Sequence, residues 1–267
     1  MKYKILLCDI DGTLRPFSSP VITEENKKAI QAVQNYGVKF VISTGRSRMT
    51  VPEELMNGIV PDFWICSAGS QVLDQDGTVI ELRRFSKQSV EHLTEYCMEK
   101  KYPLRFVFSD GLYVYAGYEA YAAWTREKKI PFTCRNGEDH TRHKSELPYG
   151  ATGLIPREGA AEFNRRYPED PIRFAWIRGD HCDILFPSQS KAEGLKVLLK
   201  KTGTAMEECV SIGDGDNDVE LLSAAGMSYC VADGSDSAKA AAKRICPAAD
   251  CSGPAWVCHE LWPEAFV

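Results

Sequence analysis

The chain contains 267 residues with a net charge of −5, and 44% of its residues are hydrophobic and 26% charged. This length can bury a full hydrophobic core in one large domain or in two linked domains. The acidic balance argues against nonspecific nucleic-acid binding, and no apolar stretch reaches the roughly 20 residues that a membrane helix needs. We therefore expect a globular protein with no nucleic-acid or membrane partner.

The first eighty residues alternate between strand and helix patterns. Short apolar runs that end in polar loops are typical of strands buried on both faces of a parallel sheet. Thr23 is placed to cap a helix that Gly37 ends. The predicted strands of this part are 4–8, 38–43 and 63–66, followed by a hairpin around Asp76-Gly77.

The middle of the chain, from about residue 83 to residue 186, has a different pattern. Strands occur in pairs here, which indicates an α+β arrangement. The predicted helices are 88–101, 118–127 and 158–166, and the predicted strands are 104–108, 112–116, 172–177 and 181–186.

The alternation of strand and helix returns after residue 186. The predicted elements are helix 190–202, strand 208–212, helix 216–225 and strand 227–231. The fold class is therefore predicted to be α/β, with a Rossmann-like parallel-sheet core formed by residues 1–82 and 187–267. An α+β domain, residues 83–186, is predicted to be inserted into that core.

The ten cysteines do not form a recognisable metal or redox motif. They are scattered along the chain, and no Cys-x-x-Cys pair occurs among them. This spacing excludes zinc-ribbon and thioredoxin-like sites. Free thiols in a reducing compartment are predicted, and because the N-terminus lacks a signal-peptide pattern, we expect that compartment to be the cytoplasm.

Two carboxylates, Asp9 and Asp11, directly follow the first predicted strand. In open α/β sheets, ligands bind at the carboxyl ends of the strands. Two carboxylates so close together repel each other, and a bound cation relieves that repulsion. The pair therefore predicts a metal-dependent active site.

A second acidic cluster, Gly213-Asp214-Gly215-Asp216-Asn217-Asp218, follows the predicted strand 208–212. A calcium loop that starts at Asp214 would need glycine at Val219 and glutamate at Ala225, so this interpretation fails. A dinucleotide loop would need glycine in place of Asp218, and its carboxylates would repel a pyrophosphate. What remains is a set of oxygen ligands suited to Mg²⁺.

Two further features are suited to phosphate binding. Thr44-Gly45 follows a strand and offers a hydroxyl group with a freely oriented backbone amide at the same edge of the sheet. Ser190 and Glu193 have capping-box spacing, which places Lys191 in the first turn of a helix. A lysine there opposes the helix dipole, and a broken local rule often marks a functional position.

With these motifs in order, the chain resembles the haloacid dehalogenase superfamily of phosphohydrolases, in its Cof-like branch with an inserted C2-type cap. The motifs that carry the resemblance are Asp9-x-Asp11-Gly12-Thr13, Thr44-Gly45-Arg46, Lys191 and the loop 213–218. The resemblance covers both core segments, whereas the cap matches in position and length more than in residues. One departure is Ala68-Gly69-Ser70, where many relatives carry Asn-Gly-Ala.

The resemblance implies roles for individual residues. Asp9 would be the nucleophile that becomes an aspartyl phosphate, and Asp11 would be the acid and base. To act as an acid, Asp11 needs a pKa raised toward neutral, and crowding by other carboxylates is one way to raise it. Mg²⁺ would be held by Asp9, the backbone carbonyl of Asp11 and Asp214, with Asp218 orienting that shell. The implied phosphate-binding or substrate-binding residues are Thr44, Gly45, Arg46, Lys191 and Asn217.

The implied activity is hydrolysis of a small soluble phosphate ester, such as a sugar phosphate. Two alternatives stay open from the sequence. A phosphosugar mutase would share the core and a similar cap, and a non-catalytic protein that binds a phosphorylated ligand would keep the fold without turnover.

Overall fold

The computed structural model describes residues 1–267, except for the side chain of Arg178. The chain divides into two compact units. The first unit consists of Met1–Glu81 and Ser190–Val267, and the second consists of Leu82–Gln189. Within the described residues, every helix is too short or too polar to cross a lipid bilayer.

The secondary structure begins with a strand and alternates between strands and helices at both ends of the chain. The strands are β1 (Ile5–Cys8), β2 (Lys39–Ser43), β3 (Phe63–Cys66), β4 (Gln71–Asp74), β5 (Val79–Leu82), β6 (Leu104–Phe108), β7 (Gly111–Ala116), β8 (Arg135–Asn136), β9 (Gly150–Leu154), β10 (Arg173–Arg178), β11 (His181–Leu185), β12 (Cys209–Gly213), β13 (Met227–Val231) and β14 (Arg244–Cys246). The helices are α1 (Glu24–Asn35), α2 (Lys87–Lys100), α3 (Tyr118–Glu127), α4 (Arg157–Arg166), α5 (Lys191–Thr202), α6 (Val219–Ala224), α7 (Asp236–Ala241) and α8 (Gly253–Leu261).

The sheet of the first unit has the strand order β14-β13-β12-β1-β2-β3-β4-β5. The pairs from β14 through β3 are parallel, and β4 pairs with β3 in the antiparallel direction. Strand β1 lies between β2 and β12, so its carboxyl end is at the middle of the sheet. The predicted α/β fold class with a parallel core sheet is confirmed.

Both faces of this sheet are covered, which explains why its strands read as continuous apolar runs. Leu6 and Cys8 of β1 point into one core layer, which also contains Ile30 and Val33 of α1 and Val257 of α8. The alternate residues of β1 point into a second layer formed with α5 and α6; its members include Ile5, Leu7, Leu195, Leu198 and Leu221. The alternation of side chains along one strand thus builds two hydrophobic layers.

The second unit contains a sheet with the order β10-β11-β9-β6-β7-β8. Its pairs from β10 through β7 are antiparallel, and β8 pairs with β7 in the parallel direction. One face carries an aromatic core that includes Phe106 and Tyr115 from the sheet, Tyr96 from α2 and Phe163 from α4. The predicted α+β character of the middle of the chain is confirmed.

Several elements were missed or displaced by the sequence patterns. Strand β9, in the middle of the second sheet, was not predicted, because Gly150-Ala151-Thr152-Gly153-Leu154 lacks the bulky β-branched run typical of strands. The elements that follow β13, namely α7, β14 and α8, were also not predicted. The predicted helix 216–225 is a 3₁₀ turn over Asp216–Asp218 that continues as α6.

Candidate active site

The carboxyl ends of three neighbouring parallel strands bring both acidic motifs together. Cys8 at the end of β1 pairs with Ile42 of β2 and with Ile212 of β12. The residues that follow each strand therefore meet at one edge of the sheet, as expected for parallel strands. This register places Asp9 close to Asp214, although 205 positions separate them in the sequence.

Three carboxylates form the centre of the site. Asp9, Asp214 and Asp218 each offer an oxygen atom, and these oxygens lie within 4.8 Å of one another. Asp9 and Asp218 are buried, and Asp214 is partly buried. One oxygen of Asp9 accepts a hydrogen bond from the backbone N–H of Ile10 at 2.7 Å. This all-oxygen donor set is the kind that binds a hard cation such as Mg²⁺.

Asp218 is fixed by hydrogen bonds within the protein. Its Oδ1 accepts a hydrogen bond from Lys191 Nζ at 2.6 Å, and its Oδ2 accepts one each from the backbone N–H groups of Asp214 and Gly215, both at 3.1 Å. Because both oxygens are engaged, Asp218 is better placed to orient the loop that carries Asp214 than to bind a ligand directly.

Lys191 is fully buried among these carboxylates. Its Nζ lies 2.6 Å from Asp218 Oδ1 and 3.2 Å from Asp9 Oδ2. The lysine is the first residue of α5, and the Ser190 hydroxyl caps this helix by accepting a hydrogen bond from the backbone N–H of Glu193. The predicted position of Lys191 in the first helical turn is therefore confirmed, and its charge is offset by two carboxylates rather than by solvent.

The turn Ser67–Gly69 supports the start of α5. Gly69 has φ +95°, and a Cβ atom at this position would lie 1.9 Å from the carbonyl oxygen of Ser190. Only glycine permits this approach without displacing the residue before Lys191. Ser67 and Ala68 also have positive φ angles, of 48° and 50°. Ala68 is buried and donates its backbone N–H to the carbonyl of Thr44.

Burial and mutual repulsion set the ionisation of the central groups. Burial raises the pKa of Asp9 well above its ordinary value, Lys191 opposes this shift, and the charges of Asp218 and Asp214 add to it. Burial and the charge of Asp218 raise the pKa of Asp214 to about 7. Burial would lower the pKa of Lys191, but the charges of Asp218 and Asp9 raise it above its ordinary value. One lysine thus compensates only part of the negative charge, and a cation would complete the compensation.

Asp11 is held by two arginines. Arg46 donates to both carboxylate oxygens, with Nη2 2.9 Å from Oδ1, and Arg15 donates to Oδ1 from Nε at 3.0 Å and also from Nη2. Burial alone would raise the pKa of Asp11, but the hydrogen bonds and charges of Arg46 and Arg15 lower it below the ordinary value. The expectation that carboxylate crowding raises this pKa is therefore wrong, because the sequence did not reveal the two guanidinium groups.

The remaining predicted residues lie in the adjoining loops. Thr44 is buried, and its Oγ1 accepts a hydrogen bond from the backbone N–H of Arg46 at 3.1 Å. Gly45 lies between them and is partly exposed. Asn217 lies in the 3₁₀ turn directly after the loop of Asp214. The guanidinium of Arg46 donates hydrogen bonds to Asp11 and to the carbonyl of Thr50. Arg46 therefore contacts the residue that was predicted to act as acid and base.

Sequence reasoning assigned no role to three residues that shape the site. The Thr13 hydroxyl is fully buried and donates to Asp214 Oδ1 at 2.8 Å. Arg15 contacts Asp11, and Gly69 permits the close packing against Ser190. Thr13 belongs to the first motif and was therefore detectable. Gly69 belongs to the segment Ala68-Gly69-Ser70, which was noted only for its departure at Ala68, and Arg15 gave no signal, because its contact depends on the fold of a loop.

The comparisons with known proteins agree with this geometry. A model of the haloacid dehalogenase-like hydrolase family matches residues 6–257. The chain is 26% identical over 242 residues to the 5-amino-6-(5-phospho-D-ribitylamino)uracil phosphatase YcsE of Bacillus subtilis, covering 91% of this chain and 89% of that protein. It is 25% identical over 262 residues to the chloroplastic endoribonuclease YBEY of Arabidopsis thaliana, but it spans only 44% of that protein's length.

The solved structures show the same fold. A sugar phosphatase of HAD subclass IIB matches with a TM-score of 0.85 at 22% identity, covering 96% of this chain and 98% of that one. The chain belongs to the haloacid dehalogenase-like hydrolase family. Its resemblance to the Cof-like phosphatases, predicted from the motifs, is confirmed.

Proposed function

We propose that the protein is a Mg²⁺-dependent phosphomonoester hydrolase that transfers the phosphoryl group of a small sugar phosphate or similar metabolite to Asp9. The observation that carries this proposal is the position of Asp9, buried within the carboxylate cluster and 3.2 Å from the Lys191 ammonium. A purely structural ion pair would be complete with Lys191, Asp9 and Asp218. It would not need the further carboxylates of Asp214 and Asp11.

In this proposal Asp9 attacks phosphorus, and Lys191 offsets the repulsion between the carboxylate and the phosphate. The carboxylates of Asp9 and Asp214 and the backbone carbonyl of Asp11 would hold a Mg²⁺ ion, which would supply the further positive charge that the phosphate dianion needs. Asp218 keeps Lys191 and the Asp214 loop in position. Thr44, Gly45, Arg46 and Asn217 remain proposed substrate-binding residues.

The contacts of Arg46 and Arg15 determine whether Asp11 is ionised or protonated. While Arg46 and Arg15 hold it, the Asp11 carboxylate is ionised, which is the charge state of a base, but the lowered pKa weakens it as a proton acceptor. Donation of a proton to the leaving oxygen requires a higher pKa, which follows when the guanidinium contacts loosen. Arg46 therefore controls the acid through its contacts in addition to any contact with substrate.

The domain assignment is part of the proposal. We propose that residues 1–82 and 187–267 form the catalytic core and that residues 83–186 form a C2-type cap. A sugar-like leaving group is supported by the structural neighbour described as a sugar phosphatase and by the relative named for a phosphoribityl substrate. The cytoplasmic location stays a prediction.

The test is release of inorganic phosphate from a panel of sugar phosphates, sugar-alcohol phosphates and nucleotides. The protein is assayed with Mg²⁺ and with EDTA, beside Asp9→Asn as a control. Release that needs Mg²⁺ and is lost in Asp9→Asn supports the proposal. Turnover only after addition of a sugar bisphosphate would indicate a mutase, and tight binding without turnover would indicate a non-catalytic phosphate-binding protein.

A further inference from the structure

A polar row crosses one face of the sheet in the second unit. Arg105 of β6 pairs with Thr152 of β9, and Thr152 pairs with Asp183 of β11. Side chains of directly paired residues lie on the same face, about 5 Å apart at Cβ. His181 is two residues before Asp183 and therefore points to the same face. The opposite face is the aromatic core, so this row is a feature of one side only.

Three atoms of this row are buried without a hydrogen-bond partner among the described residues. They are Arg105 Nε, Thr152 Oγ1 and His181 Nε2. Thr152 as a whole is only 6% exposed. A buried polar atom without a partner costs folding free energy, so three on one face need an explanation. A ligand that completes their hydrogen bonds is such an explanation.

Aromatic side chains of α3 lie over the row. The guanidinium of Arg105 is 5.7 Å from the centre of the Tyr121 ring, and the ring centres of Trp124 and His181 are 4.7 Å apart. The Tyr121 and Trp124 ring centres are 5.7 Å apart. These rings cover the unpaired atoms, so the rings must move aside before a ligand can reach those atoms. Trp124 is only partly buried and can therefore move.

The charges of the row favour hydroxyl groups over a simple anion. Burial would lower the pKa of Arg105, but Tyr121, a hydrogen bond to Cys134 and the charge of Asp183 raise it, so the guanidinium is positive. The carboxylate of Asp183 in the same row carries the opposite charge. Burial and the charge of Arg105 lower the pKa of His181 to about 4, so its ring is neutral at pH 7 and can donate or accept according to its tautomer. Donors and acceptors therefore alternate, as the hydroxyl groups of a polyol require.

We propose that Arg105, Thr152 and His181 form a binding site for the hydroxyl groups of a sugar-like polyhydroxy compound. Arg105 donates, Thr152 donates and accepts, and the rings of Tyr121 and Trp124 pack against the carbon skeleton. The site belongs to the second unit alone and does not depend on the proposed hydrolysis. The polyol is either the alcohol part of the substrate or a separate ligand, and one set of measurements distinguishes the two.

The test uses ribitol, erythritol and glucose as phosphate-free probes on the full chain. The indole N–H signal of Trp124, assigned with Trp124→Phe, is followed by NMR during titration. Saturable movement of this signal is expected with at least one probe. Thr152→Val should weaken that binding about three- to tenfold and leave the melting temperature unchanged or higher, because the lost hydroxyl has no partner in the protein.

The matched control is Thr94→Val. Thr94 is a buried threonine of α2 whose hydroxyl already donates to the carbonyl of Val90, so this variant should bind the probes as the wild type does. The proposal is overturned if no probe moves the Trp124 signal, if only an anionic probe such as malonate does, or if Thr152→Val and Thr94→Val affect binding equally.

Hydrolysis then identifies the source of the polyol. If ribitol phosphate is a substrate and Thr152→Val raises its KM about as much as it weakens ribitol binding, the polyol is part of the substrate. If binding weakens while KM is unchanged, the site takes a separate ligand. p-Nitrophenyl phosphate has no polyol group, so its hydrolysis by the wild type tests the proposed chemistry independently of this site.

Discussion

Replacement of Asp214 by asparagine should stabilise the metal-free protein at alkaline pH while abolishing its response to Mg²⁺. Burial and the charge of Asp218 raise the pKa of Asp214 to about 7 from an ordinary value of 3.8. Between these two values the folded state binds the proton that the unfolded state releases, so stability falls as pH rises from about 4 to about 7. Above pH 7 the ionised carboxylate carries the full cost.

The expected magnitude follows from that interval. About three pKa units, at about 1.4 kcal/mol each, set a ceiling of about 4 kcal/mol for the cost of ionised Asp214. Because Asp9 and Asp214 interact, part of this raised pKa belongs to the pair and not to Asp214 alone, so the ceiling overstates the cost of Asp214. We therefore expect Asp214→Asn to be more stable by about 2 kcal/mol at pH 8 in EDTA and nearly unchanged at pH 4.

The assay is urea unfolding at both pH values, with EDTA and with MgCl₂. Mg²⁺ should raise the wild-type free energy of unfolding at pH 8, by about 2.7 kcal/mol at one hundred times its Kd, and leave that of the variant unchanged. Asp76→Asn, in the exposed hairpin turn, is the control and should behave as the wild type does. A variant that is less stable than the wild type at pH 8 in EDTA would refute the charge-repulsion reasoning.

Three further variants test other parts of the structure. Gly69→Ala should lower the free energy of unfolding by more than about 3 kcal/mol and reduce activity, because its Cβ would meet Ser190. Gly77→Ala, with a similar φ and no atom near its Cβ, should cost only about 1 kcal/mol in the same urea titration. Equal losses would exclude a role for the close packing. Arg15→Leu should raise the pKa of Asp11, measured by carboxyl NMR, since one guanidinium that lowers this pKa is lost; an unmoved pKa would contradict that cause. His181→Phe should reduce the loss of stability between pH 6.5 and pH 4. In that interval the unfolded state binds a proton that buried His181 in the folded state does not, at a cost of up to about 3 kcal/mol; identical acid profiles for variant and wild type would contradict this.

The parts of the fold that follow from local patterns were predictable. Thr23 caps α1 by accepting from the backbone N–H of Asn26, as its position before the helix predicted. Ser190 caps α5 in the same way, which placed Lys191 correctly. The apolar runs of β1, β2, β3 and β12 predicted a parallel sheet, and the sheet edge then predicted that Asp9 and Asp214 meet.

What the sequence did not reveal depends on contacts between loops or on tertiary burial. Strand β9 is central in its sheet but is built from small residues, so its propensity is weak. Arg15 reaches Asp11 within an irregular loop, where a spacing of four residues does not by itself bring two side chains together. The lowered pKa of Asp11 was missed for the same reason: acidic motifs are visible in a sequence, but the arginines that fold onto them are not.

The most direct test of the proposed chemistry is detection of a phosphoryl group on Asp9. Wild-type protein is mixed with a phosphate ester that it hydrolyses in the presence of Mg²⁺, quenched in acid within one turnover, digested and examined by mass spectrometry. The account predicts a peptide containing Asp9 that is heavier by one phosphoryl group and is absent from Asp9→Asn and from samples with EDTA. Rapid release of phosphate with no modified peptide under the same quench, or with the group on another residue, would contradict it.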